Sequence, residues 1–148
     1  MKLSTRSTYG MRALVELGLA AGGGPVSAAL IAKQQRLSVA YLEQLLHRLR
    51  QGGVVTSVRG PKGGYLLARD PQQISVGEIV RTLDGSAEAK NGKHKDDPRH
   101  ARRIAQVVHR LVHERLVQSL DEVTLQDLCD EAQAFSDEPL EHRYVFHI

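Results

Sequence analysis

The feature that most restricts the fold is a change of period at Gly52-Gly53. Before it, apolar residues recur at helical spacing. After it, Val54, Val55, Ser57 and Val58 favour a strand, Gly60 to Gly64 a turn, and Tyr65, Leu66 and Leu67 a returning strand. Helices repeat every 3.6 residues and strands every two, so neither pattern buries its apolar side in the other conformation. The chain must therefore lead a set of helices directly into a β-hairpin.

Three helices fit the upstream residues. Tyr9, Ala13, Leu14, Leu17 and Ala20/Ala21, broadened by Met11 and Val15, form one stripe that ends at Gly22-Gly23-Gly24-Pro25. Ser27 can cap a second helix, Ala28 to about Gln35, with Leu30 and Ile31 expected inward. After Leu37, Ser38 can cap a third, Val39 to about Gln51, with Leu42, Leu45, Leu46 and Leu49 on one face. Beyond the hairpin, Asp70-Pro71 breaks the ladder, and Ser75-Val76-Gly77-Glu78 has the pattern of a capping box opening a short helix through Leu83.

The predicted fold class is mainly α with a small β-hairpin: a winged helix-turn-helix domain over residues 1–84, then a flexible loop over 85–98, then a dimerisation helix and C-terminal segment over 99–148. The loop, GSAEAKNGKHKDDP, holds no large apolar residue. The helix, about Arg99 to Gln118, carries Ile104, Val107, Val108, Leu111, Val112 and Leu116 on one stripe. That stripe has no obvious cover within so short a C-terminal half. Pairing with a second copy covers it, and packing on its own head is the alternative. Thr124 can cap a further helix to about Ala134, and the tail YVFHI reads as strand-like.

Charge divides along the same line. Residues 1–70 hold ten Lys/Arg against three acids, a charge of +7, whereas the remainder holds ten against fourteen, a charge of −4. A basic head suits a polyanion. In a helix-turn-helix the second of the two helices enters the major groove. Here its leading residues are Ser38, Tyr41, Glu43 and Gln44. Gln pairs with adenine edges, Glu accepts from cytosine N4, and Ser or Tyr holds phosphate. The plainer reading of these residues is a solvated helix face. In VRGPKGGYLLARD, Arg59 and Lys62 charge a slim tip, and Gly60, Gly63 and Gly64 permit the turn. Such a tip fits a narrow minor groove. A nucleotide-phosphate loop would need its glycines to run into a helix, and these run into Tyr-Leu-Leu.

The segments MKLSTRSTYGMRAL, LSVAYLEQLLHRLRQGGVV, SVRGPKGGYLLARDP and ISVGEIV resemble the Rrf-type family of bacterial transcription regulators. The resemblance covers about residues 1–85 closely and extends more loosely to about residue 128. It implies a homodimer on double-stranded DNA with a roughly palindromic operator. It also implies Ser38, Tyr41, Glu43 and Gln44 on the reading helix, Arg59, Gly60 and Lys62 on the wing, and Ile104, Val107, Val108, Leu111 and Val112 at the dimer interface. The expected function is a sequence-specific regulator, a repressor by preference, answering to a protein or small-molecule effector.

Many members of that family carry three cysteines before the long helix and hold an iron–sulfur cluster there. Residues 85–98 contain no cysteine, and one thiolate per chain cannot supply an ordinary cluster site. At earlier positions where relatives use a carboxylate or histidine, Arg6 and Gly10 offer a metal little. No conventional cluster, and no cofactor, is expected. His109 and His113, four apart, share a helix face and with Glu114 or Asp96 could ligate a transition metal; exposed histidines on a solvated helix are the plainer account. Cys129 reads as a small buried hydrophobe, as a redox thiol pairing across a dimer, or as a ligand of an unusual cluster. The alternative functions are therefore a regulator set by such a metal or cluster, or a winged-helix interaction module controlled by a partner enzyme.

No nucleophile–base pair or paired-carboxylate motif suggests an enzyme. No apolar run approaches the ~20 residues of a membrane span, and the start lacks a signal-peptide core. A lone cysteine fits a reducing compartment, so a cytoplasmic, soluble chain is expected.

Overall fold

Serine opens each of the first four helices. Ser4 Oγ accepts from Ser7 N at 3.0 Å, Ser27 from Leu30 N at 3.2 Å, Ser38 from Tyr41 N at 3.1 Å and Ser75 from Glu78 N at 3.0 Å. Each bond satisfies an amide that the helix itself leaves without a partner. The computed structural model describes residues 3–85 and 99–137. Its helices are α1 (Thr5–Leu19), α2 (Ala28–Gln35), α3 (Val39–Gln51), α4 (Val76–Asp84), α5 (Arg99–Leu120) and α6 (Leu125–Asp137), with strands β1 (Val55–Val58) and β2 (Gly64–Leu67) between α3 and α4. Thus the mainly α class with one antiparallel hairpin is what the chain adopts. The loop from 86 to 98 and the YVFHI tail lie outside the described residues.

The capping expected at Ser75 is half made. Its hydroxyl accepts from Glu78 N, but the Glu78 carboxylate pairs with Arg69 instead of turning back. Arg69 also reaches Gln73 O at 3.1 Å and Gly53 O at 3.4 Å, tying the far end of the hairpin to α4. At α6 the reciprocal cap is complete: Thr124 Oγ1 accepts from Asp127 N at 3.1 Å, and Asp127 Oδ2 accepts from Thr124 N at 2.9 Å.

The core gathers Leu14, Leu17, Ile31, Leu42, Leu45, Leu46, Leu49, Val54, Val55, Ile74, Ile79 and Leu83. Leu30 is a correction to the expected packing of α2, since it is 47% exposed. Ala28, Ile31 and Ala32, at i, i+3 and i+4, form the buried face, and Leu30 lies about 100° round the helix from Ile31. An eight-residue helix leaning on one core cannot turn both inward.

In the hairpin Val55 faces Leu67, Thr56 Leu66, Ser57 Tyr65 and Val58 Gly64. Val26 adds a bridge on the other edge of β2, with Val26 N to Tyr65 O at 3.0 Å and Tyr65 N to Val26 O at 2.8 Å. The wing is thereby tied to the chain just before α2.

Beyond the hairpin, α5 packs on the head at its C-terminal end, where Val117 meets Val76 and Val80. Arg81 Nη2 lies 2.7 Å from Asp121 Oδ1, and Ser75 Oγ donates to the same oxygen at 3.2 Å. Helix α6 then returns to the head, and its Leu125 and Cys129 join the cluster of Leu14 and Leu42. Gly18 leaves room for that return: a Cβ there would lie 2.4 Å from Cys129 Sγ.

Candidate nucleic-acid interface

The turn between α2 and α3 sets the angle of the reading helix. Arg36 takes a left-handed φ of 55°, and Leu37 N donates back to Ala32 O at 2.9 Å, so α2 ends abruptly and the chain re-enters a helix at Ser38. Arg12 braces this corner from α1. Its Nε and Nη2 donate to Gln35 Oε1 and Gln35 O, both at 2.8 Å, and its guanidinium carbon sits 4.9 Å over the Tyr9 ring. Gln35 Nε2 in turn donates to Glu16.

On α3 the leucines point inward and Glu43 and Gln44 are exposed. Ser38 is partly committed, because its oxygen caps the helix. Tyr41 is half-buried, with its ring edge-on to Tyr9 at 6.1 Å between centroids and 88° between planes. The Tyr41 ring is therefore packed on the core, with the residue only partly covered, while Glu43 and Gln44 are free to reach outward.

At the hairpin tip Gly60 has φ +113°, and Gly63 N closes the turn on Gly60 O at 2.9 Å. A Cβ on Gly63 would fall 2.1 Å from Val58 O, and one on Gly64, at φ +152°, would fall 2.3 Å from Val26 O. Larger residues would splay the tip from the head. Arg59 and Lys62 are exposed, and neither side chain bonds to any described residue. Two cations held at a thin tip without an internal counter-charge are available to an external polyanion.

Two residues absent from the sequence reading also lie here. Arg50, near the end of α3, donates through Nη1 to Ser57 Oγ on β1 at 3.1 Å, and its Nη2 is 3.5 Å from Nδ1 of His47. The ridge of exposed positions runs on past Gln44 to His47, three residues further, which was the available signal.

The residues considered for sensing are apart from this face. His109 and His113 stack at 5.9 Å between ring centroids. Among the described residues no three His, Cys, Asp or Glu side chains come together as a metal site. Asp96 lies outside the described residues. Cys129 is 4% exposed, its thiol 3.9 Å from Val15 O. Burial pushes that thiol above its ordinary value, and the Asp130 charge adds to the rise. Ile104, Val107, Val108, Leu111 and Val112 are each more than half exposed along α5. No helix among the described residues is long and apolar enough to cross a membrane.

Comparison with known proteins bears on the whole of this arrangement. The Rrf2 family, described as an iron-dependent transcriptional regulator, matches residues 3–131. The HTH-type transcriptional regulator IscR of Sodalis glossinidius is 39% identical over 129 residues, which are 86% of this chain and 78% of that protein. The solved structure of T. potens IscR superposes with a TM-score of 0.71 at 38% identity, covering 97% of each chain. CymR, the global cysteine regulator of B. subtilis, superposes with a TM-score of 0.66 at 37% identity, covering 88% of this chain and 98% of the other.

Proposed function

Since the chain belongs to the Rrf2 family of DNA-binding transcriptional regulators and is no enzyme, we propose that it acts as a cytoplasmic homodimeric repressor reading a palindromic operator. Glu43 and Gln44 on α3 read base edges in the major groove, Ser38 and Tyr41 steady the helix on phosphate, and Arg59, Gly60 and Lys62 form a wing in the adjoining minor groove. The observation that carries this reading is the uncompensated cationic tip of a hairpin that Arg50 ties to α3, the helix whose outward face bears Glu43 and Gln44.

Dimerisation through α5 is supported by its outward apolar stripe. From Arg99 to Val112 the helix extends about 20 Å. Covering the exposed half of each of Ile104, Val107, Val108, Leu111 and Val112 returns roughly 1 kcal/mol per side chain. A second copy of the same helix presents the same stripe and can do this symmetrically.

The family's description as iron-dependent raises the question of a cluster or metal. The donor set of this chain does not fit a conventional iron–sulfur site: its one cysteine is packed against Gly18 and Val15, with its thiol pushed away from the thiolate a cluster needs. No cofactor is assigned to the repressor on this reading, and its effector is a protein or a small molecule.

The test is selection from random duplex DNA with the purified protein, together with its mass by light scattering. A dimer enriching one palindromic motif is the expected result. A monomer, or a pool that stays random, overturns the proposal.

A further inference from the structure

We infer that His47 is a further specificity-determining residue, one that offers its Nε2–H to a guanine in each half of the operator. This rests on the DNA-reading function proposed above and names part of what is read.

Position comes first. Ala40, Gln44, His47 and Gln51 follow one another at i, i+4, i+7 and i+11, a single ridge opposite Leu42, Leu45, Leu46 and Leu49, and all four are exposed. His47 is three residues past Gln44, about 4.5 Å along the helix axis. One base-pair step is ~3.4 Å. An imidazole there meets the base pair next to the one Gln44 meets.

Arg50 favours one tautomer of its ring. That guanidinium spans the gap from reading helix to wing, with Nη1 3.1 Å from Ser57 Oγ and Nη2 3.5 Å from His47 Nδ1. A guanidinium has donors and no acceptor, so the nitrogen it faces must be the one without hydrogen. The neutral ring then carries its proton on Nε2, at the edge away from Arg50. Ser57, paired with Tyr65 in the hairpin, keeps Arg50 from swinging away.

A lone outward donor chooses its base edge. Guanine presents two neighbouring acceptors, N7 and O6, in the major groove, whereas cytosine presents an amino donor there, adenine pairs its N7 with one, and thymine offers the single acceptor O4 beside its methyl group, so guanine is the best match for a lone donor. Glu43 brings acceptors alone to α3, and Gln44 a paired acceptor and donor suited to adenine, so a lone donor at His47 adds a base edge that neither of them matches.

Two experiments test the inference. In selection from random duplex DNA, the wild-type chain should favour guanine at one position per half-site. H47A should weaken that preference about tenfold while keeping the rest of the motif, and H47Q should shift it toward adenine. His47 is exposed, so both variants should melt as the wild type does. A wild type that enriches no motif overturns the DNA-reading function and this inference with it. A motif that H47A leaves unchanged, even at lower affinity throughout, overturns this inference alone and makes His47 a phosphate contact. In the free protein, long-range proton–nitrogen correlation of the neutral His47 ring should show the Nε2–H tautomer, and R50M should mix the two forms. A dominant Nδ1–H form in the wild type overturns it independently of DNA.

Discussion

Ser7, wholly buried, donates its hydroxyl to Asp84 Oδ2 at 2.7 Å, so the first turn of α1 is held by the last residue of α4. Ser4 Oγ lies 2.6 and 2.7 Å from the two Asp84 oxygens while also capping α1, and Arg6 Nε is 3.6 Å from Oδ1. A carboxylate at a helix N-terminus is further favoured by the helix dipole. Asp84→Ala strands the buried Ser7 hydroxyl and should lower stability by about 2–4 kcal/mol. Asp84→Asn keeps one acceptor and should lose about half as much. Urea unfolding measures both; an Asp84→Ala midpoint equal to wild type would exclude a stabilising role for this junction.

The packing of α6 on α1 is tested at Gly18. Its substitution by Ala drives a methyl to 2.4 Å from Cys129 Sγ, in a part of the core where neither helix can retreat without opening the Leu125 contact. Gly18→Ala should destabilise by roughly 1–3 kcal/mol, and adding Cys129→Ala should recover part of it by removing the opposing sulfur. Additive losses in the double mutant would contradict the contact. The same burial predicts slow alkylation of the native thiol. Because folding raises the pKa of Cys129, its contribution to stability is complete below the ordinary thiol value and is lost as pH rises through the folded value.

Asp121 links the end of α5 to α4 and titrates in the opposite sense. Its hydrogen bond from Arg81 holds the carboxyl below its ordinary value, against a desolvation that acts the other way. The pair is more than a third exposed, so Asp121→Asn should cost about 0.2–1 kcal/mol at neutral pH. Wild-type stability from this group is present above the unfolded carboxylate value and fades as pH falls through the folded one. The gap between wild type and Asp121→Asn should therefore narrow in acid. A gap that stays constant in thermal melts across that range would argue against the pair.

What could be read in the sequence was whatever local chemistry determines. Three helical stripes, the serine caps at Ser27 and Ser38 and the glycine turn carrying Arg59 depend on residues within a few positions of each other, and they stand where period and turn preferences put them. Long-range choices were hidden. That Leu30 faces outward, that Val26 bridges Tyr65, and that Glu78 pairs with Arg69 all depend on which surfaces meet in the assembled head. The return of α6 turns on a missing side chain at Gly18, which no periodicity announces. His47 is visible as one more residue on a ridge, but the guanidinium beside its Nδ1 is Arg50, which bonds to Ser57 on β1, a contact that the period of α3 does not announce.

The proposed dimer makes a separable prediction. Val108 and Leu111 lie in the stripe of α5 that projects from the head, each more than half exposed in one chain, so a charge there should not disturb the core. Val108→Glu or Leu111→Glu should yield folded monomers by light scattering, with the melting curve of the head little changed. Operator affinity should fall steeply, since two linked heads gain their joint affinity from being held together. A Val108→Glu chain that stays dimeric places the interface elsewhere.

Arg59 and Lys62 share the wing tip, yet they should fail differently. An arginine drawn into a narrow minor groove senses the groove's width, so Arg59→Ala should weaken operator binding by roughly 1–3 kcal/mol and relax the preference for A·T-rich sequence beneath the wing. A lysine on phosphate carries no sequence information. Lys62→Ala should weaken binding evenly on operator and random DNA, and should reduce the slope of log affinity against log salt by about one. Neither side chain bonds to a described residue, so both variants should keep wild-type stability, and a loss of affinity cannot be assigned to unfolding. Fluorescence anisotropy over a salt series with both DNAs separates the two roles. Unchanged affinity and salt slope in the double variant would remove the wing from the interface and leave α3 to read the operator alone.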